Sequence, residues 1–292
     1  MRAPSAPETA PEPPVGLPPG RIVHVRGRGE FFVRDTGGDG PAVLLLHGWM
    51  FSADLNWWPV YDALARAGHR VIALDHRGHG RGLRTPQPFR LTDCADDAAA
   101  VVGELRCGPV VAVGYSMGGP IAQLLARRHP QAVSGLVQCA TAQDWQDRWM
   151  KAFWRTMGIL RLEMGLFPVR FWQWLLSLAR TPRDARRSWV AAELSRGSSV
   201  DIAEAGRELS RYDARPWIGE LAGLPSAVVL TSRDRSVPPR KQRALAEALG
   251  AAVFEVKADH MAVATHEEPF RRALLQALDS VAASRPAADR AA

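Results

Sequence analysis

The sequence predicts an α/β protein built on a mostly parallel sheet, with a helical block inserted late in the chain. Three observations carry this prediction. Two runs, Ala42 to Leu46 (AVLLL) and Pro109 to Val113 (PVVAV), are wholly apolar, as strands are when helices cover both faces of a sheet. Strand and helix patterns alternate along most of the chain, as they do in βαβ units. The alternation stops between about 142 and 217, where only helical patterns remain, and then resumes, which marks an insertion into one sheet rather than a separate fold.

Taken in order, the first twenty residues (MRAPSAPETAPEPPVGLPPG) are rich in Pro and Ala and lack an apolar stretch, so they read as a disordered tail and not as a signal peptide. Arg21–Val25 and Glu30–Arg34 read as a hairpin around Gly27-Arg28-Gly29, because glycine permits the tight reversal. Ala42–Leu46 follows as a central strand, then a helix over Trp58–Ala67 and a strand over Val71–Leu74. Leu91–Leu105 reads as a helix with Thr92 as its N-cap. Pro109–Val113 is a strand, Met117–His129 a helix and Val133–Cys139 a strand. After the helical block come the strand Ser226–Leu230, the helix Pro239–Leu249, the strand Ala252–Val256 and a last helix over Glu267–Ala282. The expected organisation is a tail over 1–20, a core over 21–141, a helical cap over 142–217, the rest of the core over 218–282 and a second flexible tail over 283–292.

Composition excludes several classes. With 292 residues, 47% hydrophobic and 23% charged, the chain has the balance of a globular protein with a large core. The longest uncharged run, Cys107 to Ala126, contains four glycines and two prolines, so it is not expected to span a bilayer. Cys94, Cys107 and Cys139 have neither CxxC nor ligand spacing, which points away from a disulfide framework or a metal site and towards a reduced, cytoplasmic setting. The net charge is +7, yet basic residues are interleaved with acids and no nucleic-acid-binding motif occurs, so nucleic acid is not an expected partner. No cofactor is implied.

The chemistry centres on Gly114-Tyr-Ser-Met-Gly118. A strand precedes this Gly-x-Ser-x-Gly motif and a helix follows it, so Ser116 falls on a turn too tight for side chains at 114 and 118. A serine hydroxyl needs a base, and His260 follows the last strand, on the sheet edge where parallel strands deliver their loops. His47, His76 and His79 also follow strands and are its rivals. The acid that orients the imidazole is expected to be Asp234, just after the strand Ser226–Leu230; Asp144 is the alternative, while Asp259 adjoins the histidine too closely to face its ring. The order Ser116, Asp234, His260 is that of nucleophile, acid and base in one enzyme architecture. An oxyanion would be held by the N–H of Met117, at a helix start, and by that of Trp49, in the loop after Leu46.

Together, Leu45-Leu-His-Gly48, Asp75-His-Arg-Gly-His-Gly80, Gly114-Tyr-Ser-Met-Gly-Gly119, the Asp234 segment ending at Pro239 and Asp259-His-Met261 resemble the α/β-hydrolase superfamily over roughly residues 21 to 282. The resemblance implies eight strands, the second antiparallel, and a cap entering after the sixth. It implies a serine-nucleophile, esterase- or lipase-like member, with lactone hydrolysis, carbon–carbon bond hydrolysis and cofactor-free haloperoxidase or perhydrolase chemistry as alternatives on the same residues. Serine at 116 points away from the superfamily's aspartate-nucleophile epoxide hydrolases and dehalogenases. A non-catalytic ligand-binding role is the alternative from another class.

The helical block is crowded with aromatic residues. Trp149, Phe153, Met157, Leu160 and Met164 recur at helical spacing, and aromatic side chains bury large areas. Trp145, Trp149, Phe153 and Met157 are therefore expected to contact an apolar acyl or aryl group of an ester-like substrate. Phe171–Leu178, flanked by Arg170 and Arg180, is too short and lacks a polar face, so membrane contact is not expected.

Overall fold

A computed structural model of the chain describes residues 13, 16–158, 161–162, 172 and 185–284, the side chains at 149, 151 and 185 excepted. The expected tails over 1–20 and 283–292 fall largely outside these residues. So do Leu160, Met164 and the segment 171–178 apart from Trp172.

Eight strands form one sheet in the order β1-β2-β4-β3-β5-β6-β7-β8. They are β1 Gly20–Val25, β2 Gly29–Asp35, β3 Ala42–Leu46, β4 Arg70–Leu74, β5 Val110–Tyr115, β6 Val133–Cys139, β7 Ser226–Thr231 and β8 Ala252–Val256. Only β2 runs antiparallel to its neighbours; every pairing from β4 to β8 is parallel. The apolar runs behave as two-faced strands. Leu44, Leu46 and Ala112 pack with Ala95, Ala98, Ile121 and Leu125 on one face, whereas Val43, Leu45 and Val113 pack with Trp57, Tyr61, Phe270 and Leu274 on the other. Parallel register carries the ends of β3, β5, β7 and β8 to one edge, and the loops that leave them converge there.

Two local expectations differ from the structure. The helix expected over Trp58–Ala67 is two short helices, Ala53–Trp57 and Tyr61–Arg66. Ser52 starts the first by accepting the Leu55 N–H at 3.1 Å, and Pro59, which has no N–H to continue the ladder, lies between them. Thr92 is not an N-cap. The helix Leu91–Glu104 starts at the expected residue, but its cap position is the extended Arg90, which makes no side-chain cap bond. The three cysteines are free thiols.

Between β6 and β7 the chain carries the helices Arg148–Arg155, Ala185–Ser195 and Ser199–Leu209. The two stems of this insertion are tied together, with Ala214 N–H donating to Gln143 O at 2.7 Å and Trp145 N–H to Tyr212 O at 3.1 Å. Polar contacts fix the insertion to the core. Ser52 Oγ donates to Glu193 at 2.9 Å, Phe89 N–H to Glu204 at 2.9 Å and Trp49 Nε1–H to Ile202 O at 2.7 Å. Among the described residues, no helix is long and apolar enough to cross a membrane.

Candidate active site

β5 ends at Tyr115, and the next residue, Ser116, takes φ +51°, a left-handed conformation that a non-glycine residue adopts only when its surroundings enforce it. The enforcement is visible. Ser116 N–H donates to Cys139 O at 3.0 Å, Thr141 Oγ1 donates to Ser116 O at 2.8 Å, and Gly119 N–H donates to the same oxygen at 2.9 Å. The flanking glycines are required by space: a Cβ on Gly114 would lie 2.3 Å from Gly118 O, and one on Gly118 would lie 2.0 Å from Leu46 O.

The structure brings Ser116, His260 and Asp234 into one hydrogen-bonded row. His260 Nε2 lies 3.0 Å from Ser116 Oγ, and its Nδ1 lies 2.7 Å from Asp234 Oδ2. With Nδ1–H donating to the carboxylate, Nε2 carries the free lone pair and accepts the serine hydroxyl proton. Asp234 is itself held from all sides. Its Oδ1 accepts the N–H groups of Ser236 and Val237, each at 2.8 Å, and its Oδ2 accepts Thr231 Oγ1–H at 2.9 Å. Asp144 stands elsewhere, accepting Lys241 Nζ at 2.9 Å, and Asp259 accepts the Met261 N–H at 2.9 Å. Neither reaches the imidazole.

His47, His76 and His79, the rival bases, are buried together. The His47 ring centroid lies 4.2 Å from that of His76 and 5.5 Å from that of His79. His47 Nε2 accepts the His76 N–H at 3.0 Å, and its Nδ1 donates to Gly48 O at 2.8 Å. Burial, reinforced by the two neighbouring imidazoles, holds His47 well below the ordinary range. Burial brings His76 down to about 3, with His79 adding to the shift, and brings His79 down to about 4. All three are neutral near pH 7, and among the described residues none bonds to Ser116.

The loop after β3 crosses the elbow closely: a Cβ on Gly48 would lie 3.4 Å from Ser116 Cβ. Asn56 Oδ1 accepts the Gly48 N–H at 2.9 Å. Among the described residues, the N–H groups of Trp49 and Met117 have no hydrogen-bond partner, although Met117 is fully buried.

The aromatic residues of the insertion separate by position. Phe153 is exposed and stands edge-on to Trp49 at 6.2 Å. Trp145 and Met157 are buried in the main core cluster, and the Trp149 side chain lies outside the description. The ring set most closely against Trp49 is that of Trp154, at 4.6 Å. Its sequence signal was only its place next to Phe153. The second contact that sequence reasoning missed is Tyr115, whose hydroxyl donates to His260 O at 2.6 Å. Among the described residues, no cluster of His, Cys, Asp or Glu could hold a metal ion.

A family model described as the alpha/beta hydrolase fold matches residues 41–267. A pimeloyl-[acyl-carrier protein] methyl ester esterase of Chromobacterium violaceum is 31% identical over 260 residues, 85% of this chain and 98% of that protein. Epoxide hydrolase B of Mycobacterium tuberculosis is 36% identical over 121 residues, 40% of this chain; the match spans only 34% of that relative's length. Among solved structures, a bromoperoxidase from Bacillus anthracis superposes with a TM-score of 0.77 at 21% identity, over 89% of this chain and all of that one, a likeness of fold.

Proposed function

Because the chain belongs to the α/β-hydrolase family, we propose that it is a serine hydrolase that cleaves a carboxylic ester through an acyl-enzyme. The observation that carries this reading is the row Ser116 Oγ, His260 Nε2 at 3.0 Å, and His260 Nδ1 to Asp234 Oδ2 at 2.7 Å. His260 takes the hydroxyl proton as Ser116 attacks the ester carbonyl. The tetrahedral oxyanion is stabilised by the N–H groups of Met117 and Trp49. Collapse expels the alcohol, which takes its proton from His260, and water activated by the same imidazole then releases the acid and regenerates Ser116. Asp234 holds the imidazole in the required tautomer and stabilises its positive form.

Chemistry also argues against an epoxide substrate. A serine that opened an epoxide would be left as an ether, which water does not cleave, whereas an acyl-serine ester is readily hydrolysed. The insertion acts as a cap whose aromatic residues, Phe153 among them, contact an apolar acyl or aryl group. The Chromobacterium violaceum relative acts, by its name, on a methyl ester, so methyl esters of medium-length acids are the first compounds to try.

A fluorophosphonate probe tests the assignment. The wild type should be labelled and Ser116→Ala should not; a folded, unlabelled wild type overturns the reading. A panel of activated esters of increasing acyl length, with lactones and β-diketones alongside, tests the substrate class. A strict preference for acetyl contradicts the apolar pocket.

A further inference from the structure

The insertion carries a groove of about 450 Å³, lined by Gln146, Trp154, Arg155, Arg207, Ser210 and Arg211. Three arginines, two from helices and one from the turn after the second, therefore line one recess, and all three are exposed. Among the described residues, none of the three has an ion pair or a side-chain hydrogen bond. Their surroundings behave differently: Arg215, four residues past Arg211, is held by Asp213 at 2.7 Å, and Lys241 is held by Asp144 and Asp147. Glu208, although next to Arg207 in sequence, forms no ion pair with any of the three among the described residues. Arg207 lies in the last turn of the helix Ser199–Leu209 and Arg211 just past its end, so two like charges stand four residues apart with no acidic partner among the described residues.

The groove wall is built to stay in place. Trp154 is buried, and its indole Nε1–H has no partner. Its ring rests against the helix Ser199–Leu209, where a Cβ on Gly206 would lie 2.5 Å from Trp154 Cε3. The stem below is pinned by Gln146 Nε2, which donates to Arg211 O at 3.3 Å. This wall fixes the backbone from which the three exposed arginine side chains project.

We propose that this groove binds a phosphate monoester or free phosphate, a function separate from the hydrolysis assigned to Ser116. Arginine presents a planar fork of donors that matches phosphate oxygens in pairs. Three forks exceed what one carboxylate can satisfy with its two oxygens, whereas the three terminal oxygens and near-double negative charge of a phosphate match three guanidinium groups.

Calorimetric titration of the intact chain at pH 8 and low ionic strength tests the proposal, with inorganic phosphate, phenyl phosphate and benzoate as probes. One equivalent of phosphate should bind saturably, and benzoate should bind at least tenfold more weakly. The double variant Arg207→Gln/Arg211→Gln should weaken phosphate at least tenfold, and Arg207→Lys/Arg211→Lys should recover part of that loss. Arg243→Gln, which removes an exposed arginine paired with Glu255, should change nothing. Phenyl phosphate binding more tightly than inorganic phosphate identifies an organic monoester whose body lies along Trp154; equal affinities identify free phosphate as the ligand. Absence of saturable binding, equal affinity for benzoate, or undiminished binding by a folded Arg207→Gln/Arg211→Gln variant overturns the proposal. Because the readout is binding, it is independent of whether Ser116 proves to be a nucleophile.

Discussion

The Tyr115 hydroxyl donates a 2.6 Å hydrogen bond to the backbone carbonyl of His260, so the residue before the candidate nucleophile holds the loop that carries the candidate base. The Tyr115 ring is itself fixed, edge-on to Trp57 at 5.9 Å and to Phe270 at 5.7 Å. Tyr115→Phe keeps those packing contacts and removes only the bond. Leaving this part-buried carbonyl unpaired costs at most about 1–3 kcal/mol, and each kcal/mol lowers the melting temperature of a chain this size by about 2–4 °C. The expected result is a melting temperature lower by several degrees and a several-fold lower kcat with KM little changed. Steady-state kinetics and a thermal melt check it; an unchanged variant on both counts removes Tyr115 from the positioning of His260.

The two candidate acids separate by variant. Asp234→Asn keeps the shape of the side chain but removes the charge facing His260 Nδ1, and in a Ser-His-Asp site such a change lowers kcat by about 10⁴-fold. Asp144→Asn breaks the contact with Lys241 at the stem of the insertion and should leave kcat within a few-fold of wild type. Activity that survives the first change and is lost in the second would transfer the acid role to Asp144.

The sequence made Ser116, Asp234 and His260 legible for a physical reason. Each follows the C-terminal end of a strand that a short stretch rich in β-branched residues identifies, and parallel register brings those ends together. The glycines at 114 and 118 announce the tight turn locally. Contacts that join distant loops leave no such trace: nothing in the sequence links Tyr115 to the carbonyl of His260, 145 residues on. In the helix Arg148–Arg155, a spacing rule identifies an apolar stripe but not which of two adjacent aromatic residues turns inward. Phe153 is exposed and Trp154 is buried. The division of the helix near Pro59 was readable from proline chemistry. The start at Ser52 was harder, because Ala53–Trp57 is only five residues long and the tryptophans beyond it draw the periodicity forward.

His47 is expected to act through the peptide it anchors. Its Nδ1–H donates to Gly48 O at 2.8 Å, and that carbonyl belongs to the same rigid peptide unit as the Trp49 N–H. The His76 N–H, donating to Nε2 at 3.0 Å, fixes the tautomer that makes this possible. His47→Ala should free the peptide to rotate and lower kcat by about tenfold up to the hundredfold typical of losing one oxyanion donor, with KM within a few-fold. Affinity for a boronic acid transition-state analogue should fall in parallel, measured per active site by burst titration. A fall in active-site concentration without a change in turnover per site would mean that His47 serves only folding.

The buried imidazoles should make the protein acid-sensitive. His76 and His79 are held near 3 and 4, below their ordinary 6.5, so between pH 6.5 and 4 the unfolded chain takes up protons that the folded chain refuses. Stability from these groups is therefore complete above pH 6.5 and declines as pH falls. At about 1.4 kcal/mol per pH unit, each imidazole accounts for about 2 kcal/mol by pH 5. Asp75 acts with the opposite sign: burial raises its carboxyl from 3.8 to about 6, so the folded chain binds that proton more readily and gains stability as pH falls from 6 towards 4. His47, lowered by the same burial, adds to the loss, and Asp97, raised by its own burial, adds to the gain. Three imidazoles against two carboxyls leave a net loss, and His79→Asn, which keeps a donor for Arg77 O, should visibly flatten the decline. Thermal melts of wild type and His79→Asn between pH 7.5 and 5 check this; parallel curves for the two proteins would show that His79 is not a source of the acid sensitivity.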